Sequence, residues 1–285
     1  MSAVLHRFEQ NAMATSFEVI IPEGPEVDAM YAAQAAEAVF SEILRLEAEL
    51  SRFLPGSDVW QLNQLGTGQR MRVSLATWDC LSLAKTMHEE TEGAFDITIG
   101  PLMQLWRAED GSLHEPPAER LEQARLSVGS QHFGLFEDDF SVLIMADHMV
   151  FDLGAVGKGY ALDQAAEILS EWGITAALLN AGDSTLLALG QPPGEAAWSV
   201  TLADGAQALL LKDRALSGSG FMVKGAHIMN PRTLRPVEIL EQRSYATAPS
   251  AALSDALSTA FMVMERAEAL ALCAKYAGQV EALWV

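Results

Sequence analysis

Apolar positions recur at helical spacing over residues 26–50, where Val39, Ile43, Leu46 and Leu50 share one face of an Ala/Glu/Leu-rich run. That spacing predicts a long amphipathic helix. Ahead of it, Ser16 to Ile21 reads as a strand. Ser57 is placed to cap a short helix reaching Asn63, and Leu75 to Glu90 predicts a third helix stopped at Gly93. Pro101 and Pro116-Pro117 punctuate an irregular stretch, and Leu143 to Leu153 reads as strand with a turn near Asp147. Val156 to Trp172 predicts a helix ended by Gly173, and Ile174 to Leu179 an apolar strand. From Ser184 to Thr247 short apolar runs alternate with Gly, Pro and Asp, the pattern of several mostly antiparallel strands. Ser250 to Met264 and Arg266 to Tyr276 are helical. Helices and strands mix without regular βαβ alternation, so the predicted fold class is α+β, with helical layers on a mixed, largely antiparallel sheet.

Composition narrows the function classes. Half of the 285 residues are apolar and 20% are charged, the balance of a folded chain. Eighteen Lys and Arg stand against 38 Asp and Glu, a net charge of −20 that repels phosphate backbones and argues against a nucleic-acid partner. Cys80 and Cys273 are too few for a disulfide framework or a zinc site. No apolar run reaches the ~18 residues of a membrane span. Neither an apolar leader nor a cysteine for a lipid anchor stands near Met1, so the sequence reads as a soluble cytoplasmic protein.

Five segments carry candidate chemistry. Asp152 to Asp163 holds Gly154, Gly157, Lys158 and Gly159 where a strand gives way to a helix, a corner suited to close backbone approach and to anions. Its glycines run G-x-x-G-x-G, the wrong order for a dinucleotide fold, although Asp183 lies 24 residues beyond Gly159; a P-loop hydroxyl after the lysine is missing. Asp255 and Thr259 stand i, i+4 on one helix, two hard oxygens suited to Mg²⁺, although a carboxylate there also suits the helix dipole. Gly93 to Leu102 packs Ala94, Phe95, Asp96 and Thr98 into one loop, with Trp106 beyond. Ser217-Gly-Ser219-Gly220 precedes His227-Ile228-Met-Asn230-Pro-Arg232-Thr233, where a histidine before an Asn-Pro turn could act as a base or a phosphate donor. Met13-Ala14-Thr15 and Phe53 to Ser57 complete the set.

In this order the segments resemble the ApbE family of FAD:protein FMN transferases. Met13-Ala14-Thr15 is similar to its Met-Gly-Thr strand start, Gly93 to Leu102 to its Gly-x-Phe-Asp-x-Thr-x-Gly-Pro-Leu, and Asp152 to Asp163 to its Asp-Leu-Gly-x-x-x-Lys-Gly-Tyr-x-x-Asp. Asn180-Ala-Gly182-Asp183, His227 to Thr233 and Asp255 to Thr259 follow suit, so the resemblance spans about residues 13–264. Two positions depart from it: the glycine after Pro-x-Thr is Leu234, and Asn230 stands where Asp is frequent. The family is commonly exported as a lipoprotein, and the leader is the third departure.

The resemblance implies a single domain over residues 1–285, or two closely packed subdomains with FAD between them. It implies FAD contacts at Met13, Phe53, Ala94, Phe95, Asp96, Asp152, Lys158 and Ile228. Magnesium would be held by Asp255, Thr259, the Ala155 carbonyl and an oxygen at Ser258. His227 would accept a proton or contact the phosphates. The implied reaction is attack by a threonine hydroxyl of an acceptor protein on the FMN-side phosphorus of FAD, with AMP leaving. Water in place of threonine would give a Mg²⁺-dependent FAD pyrophosphatase, and loss of turnover a non-catalytic flavin-binding protein. A nicotinamide dehydrogenase is the remaining alternative.

Overall fold

Asp28 caps the first long helix by accepting the Tyr31 N–H at 2.8 Å, and the helix then buries Ala32, Ala35, Ala36, Val39, Ile43, Leu46 and Leu50 along one stripe. In the computed structural model, which describes residues 4–108, 112–182, 184–202, 205, 207–220, 228–237 and 243–285, this stripe packs on a seven-stranded sheet.

The first half of the chain supplies β1 (Leu5–Ala12), β2 (Thr15–Pro22), α1 (Ala29–Leu50), α2 (Asp58–Leu62), β3 (Arg70–Arg72), α3 (Leu75–Glu90), α4 (Gly100–Trp106), α5 (Ala118–Arg125), β4 (Phe133–Phe136) and β5 (Ser141–Ile144). The second half supplies α6 (Gly157–Glu171), β6 (Ala177–Ala181), β7 (Thr185–Leu189), β8 (Trp198–Thr201), β9 (Ala208–Leu211), β10 (Arg214–Ser219), β11 (Met229–Asn230), β12 (Arg235–Pro236), β13 (Ser244–Ala248), α7 (Ala251–Ala260), α8 (Arg266–Lys275) and β14 (Glu281–Trp284). The large sheet runs β1-β2-β6-β7-β10-β13-β14, antiparallel at every pairing. The α+β expectation therefore holds. The described residues carry one parallel contact, an isolated bridge between Ile99 and Val150.

Side chains alternate across a strand, so the two faces of this sheet have different covers. Phe17, Val19, Ile21, Leu179 and Leu187 face the core that holds α1, α6 and α7. Ile20, Ala188, Leu216 and Tyr245 face the other way and are covered by Trp198, Val200 and Leu211 of the β8–β9 hairpin. A third cluster joins α4, α5 and the β11–β12 ribbon through Leu102, Trp106, Leu121, Met229 and Leu234.

Several elements differ from the sequence reading. The strand expected over Leu143 to Leu153 stops at Ile144, because only residues through there find a partner in the small β3-β5-β4 sheet. Residues 101–106, read as irregular, form α4, with Pro101 in the first turn where its missing N–H costs nothing. The Asn-Pro turn also resolves the Leu234 departure. Leu234 sits at φ 60°, the left-handed region that favours glycine, while its side chain is buried in the third cluster. Its carbonyl accepts the Trp106 indole N–H at 2.9 Å, and its own N–H bonds the Asn230 carbonyl at 2.8 Å.

Candidate functional site

Helices α6 and α7 cross at Gly159. A Cβ there would lie 2.5 Å from the Ala251 carbonyl carbon and 2.7 Å from Ala252 Cα, so no other residue permits this approach. The crossing brings the start of α6 against Asp255. The Asp255 carboxylate accepts the Gly159 N–H at 3.3 Å and lies 3.4 Å from Lys158 Nζ. Lys158 also donates to the Gly154 carbonyl at 2.6 Å. Both side chains are nearly enclosed, 11% and 5% exposed, so the pair is poorly screened by water.

The start of the Asp255 helix is served by another residue. Asp163, one turn along α6 from Gly159, accepts the Ala251 N–H at 2.7 Å, the Ala252 N–H at 2.9 Å and the Ser250 hydroxyl at 2.8 Å. Burial pushes the Asp163 carboxyl up, against the three donors that hold it down. Asp255 is thereby left to face α6.

Hydroxyl oxygens gather beside it. Ser258 and Thr259 donate to the Asp255 carbonyl at 3.0 and 3.3 Å. Ser219, at the end of β10, stands 2.9 Å from Ser258 Oγ and 3.2 Å from Thr259 Oγ1. The sequence singled out Ser217-Gly-Ser219-Gly220 without assigning it a role, and its geometry puts Ser219 in this cluster. Ala155 lies in the turn entering α6. The donor set is one carboxylate with hydroxyl and carbonyl oxygens, and no group of three His, Cys, Asp or Glu placed to hold a metal ion occurs among the described residues. A hard cation that keeps water and phosphate ligands, as Mg²⁺ does, fits such a partial shell; a soft metal does not.

A second group forms around Asp152. Its carboxylate accepts the Gly154 N–H at 2.9 Å and pairs with Arg52 Nε at 3.1 Å. The Arg52 guanidinium stacks 4.3 Å from the centre of the Phe53 ring, which is 73% exposed. An aromatic face that open, held from behind by a cation, is available to a flat ligand. Asn63 fixes the preceding residue by donating to the Phe151 carbonyl at 3.1 Å and accepting its N–H at 2.7 Å. The Asp152 N–H donates to the Ile97 carbonyl at 2.7 Å, which ties this turn to the Ala94-Phe95-Asp96 loop.

That loop is internally braced. Asp96 Oδ1 accepts the Thr98 N–H at 2.7 Å and its hydroxyl at 2.6 Å. Asp96 Oδ2 is buried with no aligned donor; His88 Nδ1 approaches to 3.1 Å but points its proton to the Phe95 carbonyl, also at 3.1 Å. Burial works against a charged His88, yet the nearby Asp96 carboxylate and Phe95 carbonyl outweigh it and raise the imidazole pKa. Ala94 and Phe95 are both buried.

Two predicted positions lie apart from these contacts. Met13 sits in the β1–β2 turn at φ 49°, its N–H held by Glu47 at 2.7 Å. Ile228 is buried immediately before β11, its carbonyl accepting the Val237 N–H at 2.9 Å. His227 and Asp183 lie outside the described residues. Sequence reasoning missed Arg52, His88 and Asp163 as partners. Arg52 adjoins Phe53 and His88 lies eight residues before Asp96, so both were within reach; Asp163 acts on residues 87 to 89 positions away.

The ApbE family model matches residues 13–284. The FAD:protein FMN transferase of Escherichia coli K12 is 26% identical over 275 residues, covering 90% of this chain and 77% of that protein. Its Salmonella typhimurium counterpart is 28% identical over 256 residues, covering 84% and 73%. Among solved structures, the apo form of the Pseudomonas stutzeri flavinyl transferase ApbE superimposes with a TM-score of 0.86 at 23% identity, covering 100% of this chain and 93% of that one. The Vibrio cholerae flavin transferase ApbE gives 0.84 at 22% identity, covering 99% and 93%. With a family model spanning nearly its whole length, this chain belongs to the ApbE family.

Proposed function

We infer that this chain is a flavin transferase that moves the FMN portion of FAD onto a threonine hydroxyl of an acceptor protein and releases AMP. The observation that carries this reading is the meeting of Lys158, Asp255, Ser258, Thr259 and Ser219 where α6 crosses α7. It sets one cation and a hard-oxygen cluster beside a glycine-rich turn, as a pyrophosphate with a divalent cation requires.

Asp255, Thr259, Ser258 and the Ala155 carbonyl would hold Mg²⁺. When bound, the ion withdraws charge from the phosphate oxygens and fixes the pyrophosphate for in-line displacement. Lys158 neutralises a further phosphate charge, and its bond to the Gly154 carbonyl fixes its direction. Phe53 offers its open face to a FAD ring system, and Asp96 and Asp152 anchor polar edges of FAD. The threonine oxygen forms a bond to the FMN-side phosphorus as the bond from that phosphorus to the bridging oxygen breaks. His227 is assigned the threonine proton, and AMP takes the bridging oxygen.

The test is incubation with FAD, Mg²⁺ and a threonine-bearing acceptor, followed by mass spectrometry. The expected result is an acceptor heavier by FMN less water, with AMP released in equal amount. Free FMN forming at one rate with or without acceptor, and no labelled threonine, would turn the reading to an FAD pyrophosphatase.

A further inference from the structure

We propose that Arg232 is a positioning residue that locks the Asn230–Leu234 turn, and with it Ile228, onto the chain entering the Ala94-Phe95-Asp96 loop. The proposal rests on the flavin-binding reading of those two segments. Arg232 Nη2 donates to the Thr91 carbonyl at 2.7 Å, and its Nε to the Glu92 carbonyl at 3.2 Å. Nη1 reaches both Glu268 carboxylate oxygens at 3.2 Å. The Glu268 carboxylate is itself fixed by the Glu265 N–H at 2.9 Å at the start of α8. Three stretches far apart in sequence thus meet on one planar cation.

The carbonyl bonds are what give the clamp its meaning. Thr91 ends α3, where carbonyls lack helical partners and the dipole is negative, so a cation is welcome there. Thr91 also donates its hydroxyl to the Met87 carbonyl at 2.6 Å and accepts the Phe95 N–H at 3.0 Å. One residue therefore receives Arg232 on its carbonyl and the flavin loop on its hydroxyl. On the other side, Asn230 Oδ1 accepts the N–H groups of Arg232 and Thr233 at 2.9 and 3.2 Å, so the turn is rigid before Arg232 reaches out.

Among the described residues, the ribbon that carries the turn has two strands, β11 and β12, and joins no larger sheet. Met229 and Leu234 pack it against Trp106. Apolar packing is non-directional, and the Trp106–Leu234 hydrogen bond ties the turn to α4; Arg232 supplies the bonds that reach the end of α3. The Arg232–Glu268 pair is 30% and 40% exposed and contributes little as an ion pair. A lysine is a point charge and cannot bridge two carbonyls and a carboxylate in one plane.

The experiment compares the full-length chain with Arg232→Lys, Arg232→Gln and Glu268→Gln. Flavin fluorescence gives the FAD Kd with Mg²⁺ present, thermal melting gives stability, and hydrogen exchange reads residues 91–98 and 228–237 without FAD. Arg232→Lys should melt near the wild type and bind FAD about tenfold more weakly. Its two segments should lose protection together, while α1 and the seven-stranded sheet keep theirs. Glu268→Gln, which leaves the carbonyl bonds, should change Kd less than about threefold. An unchanged Kd in Arg232→Lys overturns the proposal, as does loosening confined to residues 228–237. If Arg232→Gln unfolds, Arg232→Lys decides alone. If the wild type itself binds no FAD, the flavin reading falls, and the exchange data still decide whether Arg232 couples the two segments.

Discussion

Replacing Gly159 by alanine perturbs the helix crossing that builds the site. The added methyl would stand 2.5 Å from the Ala251 carbonyl carbon and 2.7 Å from Ala252 Cα, both backbone atoms, with the Ala251 oxygen nearer still. Ordinary contact begins at 3.4 Å and the Ala251 oxygen would stand at 2.2 Å, so the helices must separate by about 1.2 Å. Overpacking of this kind costs about 1–3 kcal/mol, and a clash with backbone rather than a flexible side chain lies at the upper end. Alanine returns up to about 1 kcal/mol of helix propensity, leaving a net loss of about 2 kcal/mol. For a chain of this size that lowers Tm by about 4–8 °C. The same separation stretches the 3.3 Å Gly159–Asp255 hydrogen bond and the 3.4 Å Lys158–Asp255 contact toward about 4.5 Å, beyond bonding range. The assay is thermal melting together with calorimetric titration of Mn²⁺ in the presence of FAD. A Gly159→Ala protein with wild-type Tm and unchanged metal affinity would show that α6 and α7 do not meet as described.

Other perturbations separate the remaining roles. Asp255→Asn keeps an acceptor for Gly159 and an isosteric partner for Lys158, so it should fold yet lose metal-dependent turnover; normal turnover at limiting Mg²⁺ refutes the assignment. Asp163→Ala removes three hydrogen bonds from the start of α7 and should cost about 2 kcal/mol by denaturant titration, while an unchanged midpoint would mean that water caps the helix equally well. His88 has a raised pKa in the folded chain, so its contribution to stability is complete below the ordinary histidine value of about 6.5 and fades as pH rises through the elevated value. The stability gap between wild type and His88→Gln should shrink over that window, and a gap that widens with pH contradicts the Asp96 pairing. At Leu234, both glycine and alanine lose buried contacts, but only glycine sheds the left-handed strain, so Leu234→Gly should be more stable than Leu234→Ala by about 1 kcal/mol. Equal stabilities would remove strain from the account.

What was legible in the sequence divides along a physical line. Helix α1 announced itself because its apolar stripe is a local property of the chain. The i, i+4 pair of Asp255 and Thr259 was equally local. Strand β1 was missed because it is an edge strand whose side chains are at best half-buried over most of its length, so Leu5 to Asn11 carries no strong apolar alternation. Helix α4 was hidden by Gly100 and Pro101, which read as breakers. Yet Pro101 begins the helix, and Gly100 is there because Val150 crosses so close that a Cβ would lie 2.5 Å from its own Cβ. The strongest organising contacts of the site were illegible for a different reason. Arg232 and Asn63 bind backbone carbonyls, and a backbone carbonyl has no sequence signature.

This asymmetry explains how the site is built. The groups assigned to the chemistry are few and come from short motifs: Asp255 with its two hydroxyl neighbours, Lys158 at a helix start, and Phe53 in an exposed turn. None of them holds its own position. Lys158 is aimed by the Gly154 carbonyl, Phe53 by Arg52, and Asp152 by the Gly154 N–H on one oxygen and Arg52 on the other. Asp96 is held by Thr98, whose hydroxyl in turn accepts the Gly129 N–H at 2.7 Å. A motif search finds the first set because side-chain chemistry constrains it. The second set is constrained by distance and direction alone, and several chemically different residues could meet the same demand. At Gly159 that freedom is missing, because a Cβ there would meet the backbone of Ala251 and Ala252 rather than a side chain that could change.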